Sequence, residues 1–340
     1  MSSAVQAGFI QKQNRIVALI IKYPIIPTLV FFVVMLIVFA VLSPINRVGQ
    51  NIFLSPTNIA NIVEATAALS IGAFAMTLIL LVGCIDLSAE STIALCSVVL
   101  GMCLETLRVS FPVALLITFL AGIGCGMVNA ALVIKFKVES FLATIAVAMV
   151  FSGIAYVVSG SRTVLLTNRD TLVRWFGPMG TGGHFLGLPM LFWWTLLCLV
   201  GMYLLISRSK FGRWAQATGG NMQAAYSSGV NVNMVRAVAF IIMGAFCALI
   251  SIIFCARLSS SSPSFGQHMG LRLIIASVLG GTNFTGDGGN VFGTILGSLV
   301  MGVLTNGLGI IGVNIYIQQV VTGIVIVIAV VFSIYISSKK

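Results

Sequence analysis

The sequence predicts an all-α polytopic membrane protein of about ten transmembrane helices, some of them broken or re-entrant, with both termini in the cytoplasm. Composition is the first reason: 59% of the residues are hydrophobic and only 7% are charged. The second is that apolar runs of bilayer length recur from end to end. The third is that lysines and arginines collect in the short segments between those runs. A soluble domain has about a quarter of its residues charged, and a chain with a mean hydropathy of +1.12 cannot present such a surface. The net charge of +11 therefore reads as topology determinants that face membrane lipid, and not as a nucleic-acid footprint.

Residues 1–23 are mixed polar and apolar, include Lys12, Arg15 and Lys22, and lack a small-residue cleavage site. They are expected to form a cytoplasmic lead-in to a single transmembrane domain over residues 24–340. Apolar run length and breakers then place the spans. The first five run from about Pro27 to Leu42, Ile59 to Val82, Ser91 to Leu107, Pro112 to Ile134 and Phe141 to Ser159. A long polar loop with a glycine-rich end, Gly177 to Gly183, leads to the sixth, Leu188 to Ile206.

The seventh span, Val235 to Ala256, is followed by a Ser-Pro-Gly loop from Ser259 to Gln267. The eighth, Leu271 to Gly281, is too short to cross and is expected to be re-entrant. A glycine-rich turn, Thr282 to Asn290, precedes the ninth, Val291 to Ile311, and the tenth runs from Ile315 to Ile336.

Charge orients this arrangement. With both ends cytoplasmic, the inner set is Lys12, Arg15, Lys22, Lys135, Lys137, Arg208, Lys210, Arg213, Arg236, Lys339 and Lys340, and the outer set is Arg47, Arg108, Arg162, Arg169, Arg174, Arg257 and Arg272. The bias favours that orientation. It puts the one long polar island, residues 208–236, in the cytoplasm, where it suits a docking surface. Gly219, Gly220, Ala224 and Ala225 permit close approach by a partner, and Arg213 and Asn221 offer hydrogen bonds.

Few residues suggest chemistry. Glu64, Asp86 and Glu90 are the acids near the membrane in the first half, and an intramembrane carboxylate is a functional candidate because its burial is costly. Asp86 or Ser88 can equally cap the next helix, with Glu90 favoured at its positive end. A weak internal echo links Gly83-Cys84-Ile85-Asp86-Leu87-Ser88 with Gly280-Gly281-Thr282-Asn283-Phe284-Thr285, and paired breaks point to a central pathway. Spacing to the following Asn129-Ala130 and Asn306-Gly307 differs, so the halves are not a simple duplication.

The glycine turn lacks a Gly-Lys-Ser or Gly-Lys-Thr ending, which argues against nucleotide binding by this chain. Gly293, Gly297, Gly302 and Gly307 suggest close helix packing instead. His184 and His268 are too isolated for catalysis or a metal, and the seven cysteines have no paired spacing, so no cofactor is expected. Polar side chains facing an apolar channel would serve a hydroxylated solute, and Asn129, Thr144, Asn306, Gln318 and Gln319 are candidates.

The motifs GCIDLS at Gly83 to Ser88, Phe141-Leu142-Ala143-Thr144, FGRWAQATGGNMQAAYSSGVNV at Phe211 to Val232, and the run from Val278 to Val313 followed by Gln318 and Gln319 are dispersed over nearly the whole chain. In these motifs the sequence resembles the membrane-spanning permeases of ABC importers for monosaccharides, the group of the ribose, allose and xylose transporters. It departs from them at Cys84, at Ala89-Glu90, near Ser140, and at Gly270-Leu271-Arg272-Leu273, where such permeases carry an acidic Glu-Leu-Asp segment.

The resemblance implies an ABC permease fold in a bacterial inner membrane, an ATP-binding partner, a periplasmic sugar-binding protein and a second permease copy, identical or related. It implies that the island forms the coupling element to the ATPase, through Arg213, Gly219, Gly220, Asn221, Ala224, Ala225 and Gly229. The pathway candidates are then Asp86, Asn129, Phe141, Thr144, Asn283, Asn306, Gln318 and Gln319. The chain itself is expected to be a transport subunit, not an enzyme. A proton-coupled secondary transporter working through Glu64, Asp86 or Glu90 is the alternative.

Overall fold

The computed structural model of the chain describes residues 25–46, 49–167, 171–180, 183–283, 286 and 288–337. The expected lead-in at residues 1–23 lies outside the described residues. So do Arg47, Arg169, Lys339 and Lys340 of the charge argument, and Phe284, Thr285 and Asp287 of the glycine turn.

Five helices come first: α1 (Ile25–Leu42), α2 (Pro56–Leu81), α3 (Ala89–Gly101, prolonged by a wider turn over Met102–Thr106), α4 (Phe111–Ile134) and α5 (Ser140–Ser159). Strands β1 (Val164–Leu165), β2 (His184–Phe185) and β3 (Leu188–Pro189) lie on the way to α6 (Met190–Tyr203, prolonged over Leu204–Arg208). The island holds α7 (Lys210–Gly220) and α8 (Met222–Ser227), and α9 (Val232–Leu258) follows. The remainder is β4 (Ser260–Ser261), α10 (Met269–Leu279), α11 (Val291–Ile310) and α12 (Ile315–Ser337).

Eight of these helices are long and apolar enough to cross a membrane, and α10, at 11 residues, is not. The ten expected spans therefore correspond to α1 to α6 and α9 to α12. Several helix starts are set by a side chain that accepts from an amide the helix leaves free. Ser55 Oγ accepts from Asn58 N at 3.2 Å with Pro56 opening α2, and Asn231 Oδ1 accepts from Met234 N at 3.0 Å ahead of α9. Asn290 Oδ1 accepts from Phe292 N at 3.0 Å to open α11.

Burial ranks the helices. In α2, 83% of the most apolar 18-residue window is buried inside the protein, against 17% in α1. The first is thus an axis around which α9, α10 and α11 pack, and the second turns its apolar surface outward, as a lipid-facing helix does. With no hydrophobic force between helices in lipid, close packing must hold them. Small residues supply it: a Cβ on Gly302 or Gly307 would meet Thr66 and the Phe39 ring, and one on Gly293 or Gly297 would overlap the carbonyl oxygens of Gly280 and Ala276.

The polar connection between α5 and α6 is less irregular than the sequence suggests. β1 pairs antiparallel with β4, Val164 opposite Ser261 and Leu165 opposite Ser260, and β2 pairs with β3. Two-residue strands leave no alternation to read in the sequence. The first pairing ties this connection to the loop that follows α9.

Candidate translocation pathway and coupling surface

The polar island is two helices that meet at Asn221, whose φ of −156° breaks the helix between Gly220 and Met222. Ser209 Oγ accepts from Gly212 N at 3.0 Å to start α7, and Asn221 Oδ1 accepts from Ala224 N at 2.9 Å to start α8. The carbonyl oxygen of Asn221 is thereby used within the chain. Arg213, Gly220, Asn221, Ala224 and Gly229 are exposed, whereas Ala225 is buried and Gly219 half-buried. The seven coupling candidates thus divide into an outward group of five and an inward pair.

Gly219 has a specific position. A Cβ there would overlap the carbonyl oxygen of Leu81, the last residue of α2, and would lie 2.9 Å from the Cα of Gly286 in the glycine turn after α10. The Cα of Gly219 is also the nearest group to a Cβ built on Gly83, at 3.7 Å. Both breaks that echo one another in the sequence therefore end on this one residue of the island. Arg236, at the start of α9, adds a hydrogen bond from Nε to Val82 O at 3.4 Å.

The first break, residues 83–88, is held by side chains from α4 and α5. Asp86 is 2% exposed, and its Oδ1 accepts from Ser88 N at 2.8 Å and from Ser88 Oγ at 2.6 Å. Asn129 Nδ2 donates to Ser88 Oγ at 2.7 Å, while Asn129 Oδ1, equally buried, has no partner among the described residues. From α5, Ser140 Oγ accepts from Ile85 N at 3.1 Å and Thr144 Oγ1 from Leu87 N at 3.1 Å. Asp86 thus closes a turn onto Ser88 one residue before α3, and Ser88 itself makes no side-chain cap. Of the two sequence readings for Asp86, capping is realised only in this offset form.

Removing one of these acceptors has a readable cost. Thr144→Val keeps the side-chain shape but leaves the Leu87 amide without its acceptor, a loss of about 1–3 kcal/mol for a buried group. The expected result is a lower midpoint of thermal unfolding in detergent, followed by tryptophan fluorescence. An unchanged midpoint would show that water satisfies that amide.

The remaining pathway candidates lie elsewhere. Asn306 and Asn58 exchange amide hydrogen bonds at 2.9 and 3.1 Å, and Asn306 lines a cleft of about 440 Å³ at the α9 end remote from the island. Ser264, Phe265, Gln267, Arg272 and Thr305 also line it. A second cleft of about 220 Å³, with Glu90 in its wall, shares Phe265 and Gln267 with the first. Gln318 Nε2 donates to Val313 O at 2.8 Å, and Gln319 and Phe141 are exposed. Asn283 O accepts from Gly286 N at 3.3 Å within the glycine turn. Asp86, Asn129 and Thr144 are therefore brought together, with Phe141 one turn before Thr144 and its side chain exposed, and the other four lie apart.

Residues 58–330 match the family model described as branched-chain amino acid transport system / permease component. The ribose import permease protein of Bacillus subtilis is 36% identical over 305 residues, covering 89% of this chain and 90% of that one. That of Escherichia coli is 34% identical over 280 residues, 82% and 86% of the two chains. The chain belongs to this permease family. The D-allose transport system permease protein of Escherichia coli is 31% identical over 303 residues, 88% and 89% of the two chains. No solved structure matches.

The permease is accordingly a multi-pass protein of the inner membrane and a transport subunit, not an enzyme. Membership implies an ATP-binding partner and a substrate-binding protein. Sequence reasoning missed the cleft at the far end of α9, because its lining comes from α2, α9, the loop after β4, α10 and α11 at once. One local signal was present: Arg272 is the single charge in an otherwise apolar half-length helix.

Proposed function

We propose that this permease forms the translocation pathway of an ATP-driven importer for a monosaccharide or a related small polyol. In this reading residues 24–340 are one permease domain, both termini are cytoplasmic, and residues 208–236 dock the ATP-binding subunit. A second permease copy completes the pathway, and the far cleft faces the binding protein that delivers solute. The similarity to ribose and allose permeases over more than four-fifths of both chains supports the solute class.

One observation supports the coupling reading above all: Gly219 of the island touches both the end of α2 and the glycine turn before α11. A push on the island is thereby delivered to the two places where the membrane helices are interrupted. Interruptions are the deformable points of such a bundle, because there the backbone is not locked by helical hydrogen bonds.

Proteoliposomes test the whole reading. Uptake of labelled sugar is expected to require ATP, the ATP-binding subunit and the binding protein together. Uptake by this chain alone, abolished by a protonophore, would sink the importer and favour a proton-coupled transporter.

A further inference from the structure

The cleft of about 440 Å³ at the far end of α9 has one charged residue in its wall, Arg272, and no carboxylate. Arg272 stands in the first turn of α10, where the helix presents its positive end and a cation is disfavoured. Its side chain is half-buried and has neither a hydrogen-bond nor an ion-pair partner among the described residues. Glu90 lines the neighbouring cleft, which shares Phe265 and Gln267 with this one, and is not part of this wall.

The other polar groups of the wall are largely committed. Asn306 exchanges both amide bonds with Asn58, Thr305 Oγ1 donates to Met301 O at 2.9 Å, and Ser264 Oγ is 2.9 Å from Ser262 Oγ. Arg272 is thus the strongest donor left open, alongside the exposed Gln267. A half-buried guanidinium that lacks a partner is a ready receptor for an anion. Its planar fork matches a carboxylate with two parallel hydrogen bonds, and Gln267 beside it suits the hydroxyls of the same molecule.

We propose that the permease carries an acidic solute, a monosaccharide or polyol bearing a carboxylate, and that Arg272 is the specificity-determining residue that receives it in this cleft. The proposal rests on the import reading above and names the solute class within it.

The test uses proteoliposomes holding the permease with its ATP-binding subunit and binding protein. Its probes are labelled matched pairs: D-ribose with D-ribonate, and D-galactose with D-galacturonate. ATP-dependent uptake of an acidic member is expected to exceed that of its neutral counterpart. Arg272→Gln should reduce the acidic uptake by about tenfold or more, as loss of a charge-assisted pair does, and Arg272→Lys should keep the preference in part. Size-exclusion profiles of both variants check that they assemble.

Uptake of the neutral members with no response to Arg272→Gln overturns the proposal and leaves the importer standing. Failure of both acidic probes to enter overturns the proposal, and the ATP and protonophore dependence of uptake decides the importer reading separately. If Arg272→Gln splits the assembly, or if its effect vanishes when phosphatidylglycerol is replaced by phosphatidylcholine, the arginine serves a second copy or a lipid headgroup and the proposal falls.

Discussion

Gly219→Val is expected to yield a permease that neither accumulates as a monodisperse protein nor transports, whereas Gly220→Trp, one residue on, folds and loses its ATP-binding subunit. The difference is geometric. A Cβ at Gly219 would overlap Leu81 O and lie 2.9 Å from Gly286 Cα, and both are backbone atoms that no rotamer change can move. Overpacking of this kind costs on the order of 3 kcal/mol, about two orders of magnitude in the folded population.

A Cβ at Gly220 meets nothing within 4 Å, and the residue is exposed beside Asn221 and Ala224. Tryptophan there would fill only the space a docking partner needs. Membrane yield, size-exclusion profile and co-purification of the ATP-binding subunit separate the two outcomes. Normal co-purification and transport with Gly220→Trp would refute the coupling assignment, and a well-behaved, active Gly219→Val would refute the inward role of Gly219.

The second large effect lies in the membrane. Gly122 and Gly126 of α4 face Gly244 and Phe240 of α9 with backbone against backbone: a Cβ on Gly244 would overlap Gly122 O, and one on Gly126 would overlap Phe240 O. Gly244→Leu forces the two helices apart along the contact and is expected to destabilise by roughly 3 kcal/mol or more, because packing is what holds helices together in lipid. Gly124, on the same helix, meets nothing within 4 Å. Gly124→Ala should be neutral, or stabilising by about 0.5–1 kcal/mol through helix propensity. Thermal unfolding of both variants in one detergent reads the contrast, and equal midpoints would show that the α4–α9 contact is not held by these glycines.

The helices were legible because each carries its own signal. Apolar length marks α2, α4 and α9, and Ser55-Pro56 and Asn231 mark where two of them start. The shortness of α10 was equally plain. The break of the island at Asn221 was not, because an asparagine there serves as readily for solvent contact as for opening α8. The partition of pathway candidates was also hidden. Asp86, Asn129 and Thr144 meet only because α4 and α5 pack on the first break, while Gln318 folds back onto Val313 O through a bond no spacing announces.

The sequence alone determined the membrane class, the helix count within the limits of α10, the polar island and the resemblance to sugar permeases. These rest on local composition and on motifs contiguous in the chain. Tertiary structure alone decided that Gly219 faces inward onto both helix interruptions while Gly220 faces outward, and that Arg272, without a partner among the described residues, stands in a cleft built from five segments. Such facts depend on which distant backbone comes within a few ångströms of a residue, and in lipid that is set by close packing of small residues rather than by any pattern along the chain.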